Sequence, residues 1–115
     1  MFKGSQEFRL EQKTATKPPL KSTWTNHFKK ANKQVKKGEF KGDIQFNFTN
    51  VDISKGELNS QRQLEAFVEE RMPPHRARSI NYLEILWKDT DGKIMKTYRT
   101  RDADGIVSEV ITEQL

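Results

Sequence analysis

The stretch FKGDIQFNF, residues 40–48, alternates polar and large apolar side chains from Asp43 to Phe48. The apolar side chains of one parity are Phe40, Ile44, Phe46 and Phe48, and the polar side chains of the other parity are Asp43, Gln45 and Asn47. Because side chains of a strand alternate between its two faces, this pattern predicts a strand with one buried face and one face toward water.

An amphipathic helix is predicted before this strand. Its apolar residues recur at i, i+4, i+7 and i+11, which places them on one stripe: Trp24, Phe28, Ala31 and Val35. Ser22 or Thr23 is the expected N-cap, and Gly38 is the expected end of the helix. Lysines fill the remaining positions, so the sequence predicts a helix with a basic outer surface.

A second helix and a central strand are predicted after residue 49. Ser60 and Gln63 have the capping-box spacing that marks a helix start, and the proline pair at 73–74 ends this helix. Residues 80–87 carry apolar side chains on both parities, which indicates a strand inside a sheet.

A hairpin and a final element complete the pattern. The Asp91-Gly92 dipeptide predicts a tight turn between the central strand and a partner strand at 94–100. Residues 106–115 fit either a helix or a further strand, and their i, i+1, i+4, i+5 and i+9 apolar spacing favours the helix.

This order of elements predicts an α+β fold in one small domain. We expect an antiparallel sheet of about three strands, packed by two or three helices. Residues 22–115 form the predicted domain, and residues 1–21, which contain Pro18-Pro19 and lack sustained periodicity, form a predicted flexible basic arm. A weak alternation around Phe8 and Leu10 leaves open a short edge strand within the arm.

The positive charge is concentrated in the first third of the chain. The net charge is +5, from 21 Lys or Arg residues and 16 Asp or Glu residues. Residues 1–41 hold 11 Lys or Arg and three Glu, which leaves +8, whereas residues 42–115 hold 10 and 13, which leaves −3. This asymmetry favours a polyanionic partner, or an acidic protein surface, for the first third.

The composition argues against several classes of function. The chain has no cysteine, which excludes disulfides, thiolate zinc sites and a cysteine nucleophile. No apolar run is long enough to span a membrane, and no signal peptide is visible, so we expect a cytoplasmic protein. The two histidines lack metal-ligand spacing, and the two Asp-x-Asp-Gly motifs are typical of turns, so neither a metal nor a cofactor is predicted.

A metal-independent ribonuclease remains possible because it needs only a base, an acid and a cation. The candidate catalytic residues are His75, Arg76, Arg78, Glu84 and His27. Glu84 shares a strand face with Lys88, so an ordinary ion pair is the competing interpretation. In size and composition the chain resembles the small basic nuclease tips of bacterial toxins.

The leading hypothesis is a non-enzymatic accessory domain that binds RNA or DNA through backbone phosphates. The residues expected to contact phosphate are Lys21, Lys29, Lys30, Lys33, Lys36, Lys37, Lys41, Arg71, Arg76 and Arg78. Lysine binds phosphate as a point charge, so no base specificity is expected. The alternatives are a protein-interaction or inhibitor module that docks on an acidic partner, and the toxin-like endoribonuclease.

Overall fold

The computed structural model of the protein describes residues 10–36, 42–76 and 79–115. The elements are strand β1 (Leu10–Thr14), helix α1 (Lys21–Lys36), strand β2 (Asp43–Asn47), a 3-10 turn (Ile53–Lys55), helix α2 (Gln61–Arg71), and strands β3 (Tyr82–Lys88), β4 (Ile94–Thr100) and β5 (Ile111–Gln114). The predicted α+β class is confirmed.

The strands form one mixed sheet in the order β1-β2-β3-β4-β5. β1, β2 and β3 run parallel, and β4 and β5 each run antiparallel to the preceding strand. The prediction of an antiparallel sheet of about three strands is therefore imprecise, because β3, β4 and β5 are antiparallel but the sheet has two further strands that run parallel to β3. A helix lies in each of the first two connections, and such a crossover returns the chain so that the next strand runs parallel to the last.

Both helices pack on the same face of the sheet. The Trp24 ring on α1 lies 4.7 Å from the rings of both Phe46 and Phe48, and Phe67 on α2 lies 6.3 Å from Phe46, measured between ring centroids. Phe28 and Ala31 are buried as Trp24 is, which confirms the apolar stripe of α1 for these three residues, and the Val35 side chain lies outside the described ones. The predicted alternation is confirmed for Asp43–Asn47, where Ile44 and Phe46 are buried in this core, and the predicted start of the strand at Phe40 lies outside the described residues.

The helix starts differ in how closely they follow the sequence. Ser60 caps α2 as predicted, since its hydroxyl accepts a hydrogen bond from the Gln63 amide at 3.3 Å. α1 begins at Lys21, so the expected caps lie inside the helix, and the Lys21 amide donates instead to the Glu57 carboxylate at 2.8 Å. The expected end of α1 at Gly38 lies outside the described residues.

Both edge strands of the sheet come from segments whose hydrophobic periodicity is weak. β1 lies within residues 1–21, the predicted arm, and residues 1–9 lie outside the described part of the chain. The predicted helix at 106–115 is wrong, because Ile111–Gln114 forms β5, with the Thr112 hydroxyl 2.8 Å from that of Thr97 on β4. β-Branched residues favour an extended backbone, and pairing with β4 satisfies the hydrogen bonds of that backbone.

Two Asp-Gly turns are confirmed in the second half of the chain. Gly92 and Gly105 have φ angles of 81° and 84°, which a glycine adopts without steric penalty.

Within the described residues, neither helix combines the length and the apolarity that crossing a bilayer requires.

Candidate nucleic-acid interface

The outer surface of α1 carries three exposed lysines. Lys29, Lys30 and Lys33 lie away from the side that buries Trp24 and Phe28, as the turn of a helix requires. In the part of the chain that the structure describes, none of these three lysines forms an ion pair. Three positive charges on two adjacent helical turns therefore face the solvent, and no described carboxylate lies within ion-pair distance of them.

The other predicted phosphate contacts on or near α1 have different surroundings. Lys36 lies in the last turn of α1, and Lys37 and Lys41 lie outside the described residues. Lys21 pairs with Glu70 on α2 at 3.1 Å, from Nζ to a carboxylate oxygen. This lysine is therefore already beside an acid, unlike the three on the outer surface.

Arg71 at the end of α2 is likewise in contact with groups of the protein. Its Nη2 lies 3.6 Å from the Glu70 carboxylate, and its guanidinium carbon lies 5.9 Å from the centre of the Phe67 ring. Arg76 is exposed in the loop that follows, and Arg78 lies outside the described residues. The predicted arginine cluster is thus split between a helix end and a loop.

A small cleft lies beside α1, between the carboxyl end of β1 and the first turns of the helix. Its volume is about 320 Å³, and its polar lining consists of Lys13, Lys17, Thr14, Thr16, Thr23 and His27. The imidazole of His27 packs 5.0 Å from the Trp24 ring, between ring centroids. The sequence alone did not indicate this cleft, because Lys13 and Lys17 fall within the predicted arm.

Two arginines of the β4 segment hold the loop that contains His75. The Arg101 guanidinium donates to the carbonyl oxygens of Pro73 at 2.7 Å, Arg76 at 3.2 Å and Ile80 at 3.2 Å. Arg99 donates to the carbonyl oxygens of Met72 and Ser108. These contacts fix the backbone around His75 and Arg76, and both of these side chains are exposed.

Glu84 lies on the opposite face of the sheet from the helices. It pairs in register with Gln45, whose neighbour Phe46 points to the core. Only 7% of Glu84 is exposed, and its carboxylate accepts hydrogen bonds from the Gln45 amide and the Tyr82 hydroxyl. The expected ion pair with Lys88 is therefore replaced by two neutral donors.

Burial controls the titration of the groups near Glu84. Burial, followed by the hydrogen bond to Glu84, raises the pKa of the Tyr82 phenol, so Tyr82 remains a proton donor at neutral pH. Burial also raises the pKa of Asp43 at the start of β2. The cluster is a hydrogen-bonded patch on the helix-free face of the sheet.

Among the catalytic candidates that the structure describes, Glu84 and the two histidines lie on opposite sides of the sheet. Glu84 lies on the helix-free face, whereas His27 is on α1, across the sheet. The loop with His75 is held by Arg99 and Arg101, which share the parity of the core residue Thr97 and so belong to the helix side. The described residues therefore place no candidate base, acid and cation around one point.

A larger cleft lies at the carboxyl ends of β2 and β3. Its volume is about 890 Å³, and its lining mixes amides and hydroxyls with Asp52, Asp89 and Lys88. Ser54 hydrogen bonds lower the pKa of Asp52, which keeps it ionised. This cleft has no excess of positive charge, and across the described residues no three His, Cys, Asp or Glu side chains are grouped to hold a metal ion.

No protein-family model, curated protein or solved structure matches this chain. A fold alone does not identify a function, so the function must be argued from the charges and contacts of these surfaces.

Proposed function

We propose that this protein is a non-enzymatic domain that binds RNA or DNA through backbone phosphates. The contact residues are the exposed lysines Lys29, Lys30 and Lys33 of α1, called here the basic surface. The observation that carries the proposal is their lack of ion-pair partners within the described residues. By contrast, Lys21 and Lys96 lie within 4 Å of a carboxylate, at 3.1 Å and 3.4 Å.

The distribution of charge along the chain also supports a polyanionic partner. Residues 42–115 carry a net charge of −3, whereas residues 1–41 carry +8. A polyanion is therefore attracted to the basic first third of the chain, which includes α1, and repelled by the mildly acidic remainder. Because lysine ammonium groups contact phosphate without a fixed geometry, binding should be insensitive to base sequence and sensitive to salt.

The test is a charge-neutral replacement of the basic surface. We expect Lys29→Gln, Lys30→Gln and Lys33→Gln together to preserve the fold, because these side chains are exposed and pack against nothing in the core. If each lysine neutralises one phosphate of a duplex, the slope of log affinity against log salt should fall by about 2.7. Fluorescence anisotropy with a labelled duplex at several salt concentrations measures this slope.

A matched control separates location from net charge. Lys55, Arg62 and Lys93 are also exposed, and they lie on the 3-10 turn, on α2 and in the β3–β4 turn. Replacing these three with Gln removes the same total charge and should leave most of the slope intact. Equal slopes for the parent and the basic-surface variant would contradict the proposal, and an acidic protein partner would then become the better hypothesis.

A further inference from the structure

The cleft between β1 and α1 has a lining suited to a phosphate group. Two lysines, one histidine and three threonines supply its polar atoms, and its described lining contains no acidic side chain. Lys13 and Lys17 are exposed, and no ion pair of either lysine is present within the described residues. Ammonium and hydroxyl groups donate hydrogen bonds to phosphate oxygens, whereas a nearby carboxylate would repel the phosphate.

The larger cleft at the ends of β2 and β3 provides a comparison. That cleft is also rich in hydroxyl and amide groups, but Asp52 and Asp89 line it beside a single lysine. An anion entering there would meet two carboxylates. The β1–α1 cleft therefore has the excess of positive charge that favours a phosphate, and the larger cleft does not.

The connection that forms the cleft is anchored at both ends. The Ala15 amide donates to the Asn47 carbonyl oxygen at 2.9 Å, and the Glu57 amide donates to the Pro19 carbonyl oxygen at 2.7 Å. A Cβ atom at Gly56 would lie only 2.4 Å from the Pro19 carbonyl oxygen, so this close approach requires glycine. The lysines at the cleft are thus carried on a fixed backbone, which reduces the entropy lost when a ligand binds.

An apolar wall adjoins the polar lining. Pro18, Leu20, the Trp24 ring and the His27 ring complete the cleft, and half of Leu20 is exposed, at 50%. A flat ring can pack against such a wall while an attached phosphate contacts the lysines. The volume of about 320 Å³ is at the small end of the range for ligand sites, which suits one nucleotide.

We propose that the β1–α1 cleft binds one nucleotide, with its phosphate on Lys13 and Lys17 and its ring against Leu20 and His27. This inference rests on the proposed function in its choice of ligand, since a nucleic-acid-binding domain would use the cleft for one nucleotide of the bound strand. The site is separate from the basic surface, because Lys29, Lys30 and Lys33 do not line the cleft.

The experiment titrates the full chain with adenosine 5′-monophosphate, adenosine and inorganic phosphate at constant ionic strength. Protein NMR follows the ring signals of Trp24 and His27 and the amide signals of residues 14–17. We expect the monophosphate to shift these signals and to bind at least about tenfold more tightly than adenosine or phosphate alone, because only it uses both parts of the cleft.

Two variants test the lysines. Lys13→Gln with Lys17→Gln should lower the affinity for the monophosphate at least about tenfold, whereas Lys13→Arg with Lys17→Arg should retain it. Both pairs change exposed side chains, and an unchanged amide spectrum elsewhere shows that each variant folds. The Gln variant of the basic surface should leave the affinity for the monophosphate within about twofold of the parent, because its lysines lie outside the cleft.

Three results would overturn the nucleotide site: equal binding of adenosine and its monophosphate, equal binding of inorganic phosphate and the monophosphate, or unchanged affinity in the Lys13/Lys17 Gln variant. The proposed function fails separately, if the basic-surface variant binds a duplex with the parent's salt slope. The two failures are distinguishable because they use different variants and different ligands.

Discussion

The cations of the β4 segment and those of α1 have opposite roles in this molecule. Arg101 is 6% exposed and donates to three carbonyl oxygens of the loop after α2, whereas Lys29 and Lys33 face the solvent. A guanidinium group has several donors in a fixed plane and can bind several carbonyl oxygens at once, which a lysine ammonium does less well. The buried arginine is therefore part of the fold, whereas these lysines of α1 are open to a partner.

The largest expected effect tests whether α1 is held only by its apolar side. Trp24→Ala should lower the free energy of unfolding by about 3–5 kcal/mol, because it removes a buried ring that touches Phe46 and Phe48 and leaves a cavity. Urea denaturation measures this change. Leu115→Ala is the control, since that side chain is 64% exposed and should change stability by less than about 1 kcal/mol. A Trp24→Ala cost as small as the control's would show that α1 is not docked as described.

The next effect tests whether the interior arginine belongs to the fold. Arg101→Gln should destabilise the protein by about 2–4 kcal/mol, because the shorter amide cannot reach all three carbonyl oxygens that the guanidinium binds. Arg76→Gln is the matched control in the same loop, where the side chain is exposed. Urea denaturation of both variants gives the comparison, and equal stabilities would remove the distinction between interior and exterior cations.

Local periodicity was sufficient to predict the parts of the fold that bury one face. Trp24 and Phe28 on α1, and Phe46 on β2, are buried as their spacing indicates. The Ser60 cap and the Gly92 turn also follow from rules that involve only neighbouring residues. Exposure of the α1 lysines follows from the same helical period, so this part of the candidate site is visible in the sequence.

The remaining features depend on contacts between distant segments. An alternating pattern does not show in which direction a strand runs. The strand–helix–strand order of the elements, however, indicates a parallel sheet. The apolar spacing of residues 106–115 fits two structures, and pairing of β5 with β4 decides between them. The bonds from Arg101 to the loop at 73–80, and the placement of Lys13 and Lys17 beside His27, arise only once the sheet forms.

The smallest expected effect concerns Lys21, which is neither buried like Arg101 nor, among the described residues, unpaired like Lys29 and Lys33. Its ion pair with Glu70 is about half exposed on both sides, with 50% and 46% of the side chains accessible. A double-mutant cycle of Lys21→Gln and Glu70→Gln should therefore give a coupling of about 0.2–1 kcal/mol that shrinks in high salt. A coupling of zero would place Lys21 with the unpaired lysines.

The same pair makes a sharper prediction for binding. Glu70→Gln removes the acid beside both Lys21 and Arg71 and frees these cations for phosphate, so the slope of log affinity against log salt should become steeper by up to about 0.9 for each cation. Glu69→Gln is the control, because Glu69 is a neighbouring exposed acid of α2 that forms no ion pair within the described residues. If both variants steepen the slope equally, only net charge matters. If Glu70→Gln alone does so, the pairing of each cation decides whether it can contact nucleic acid.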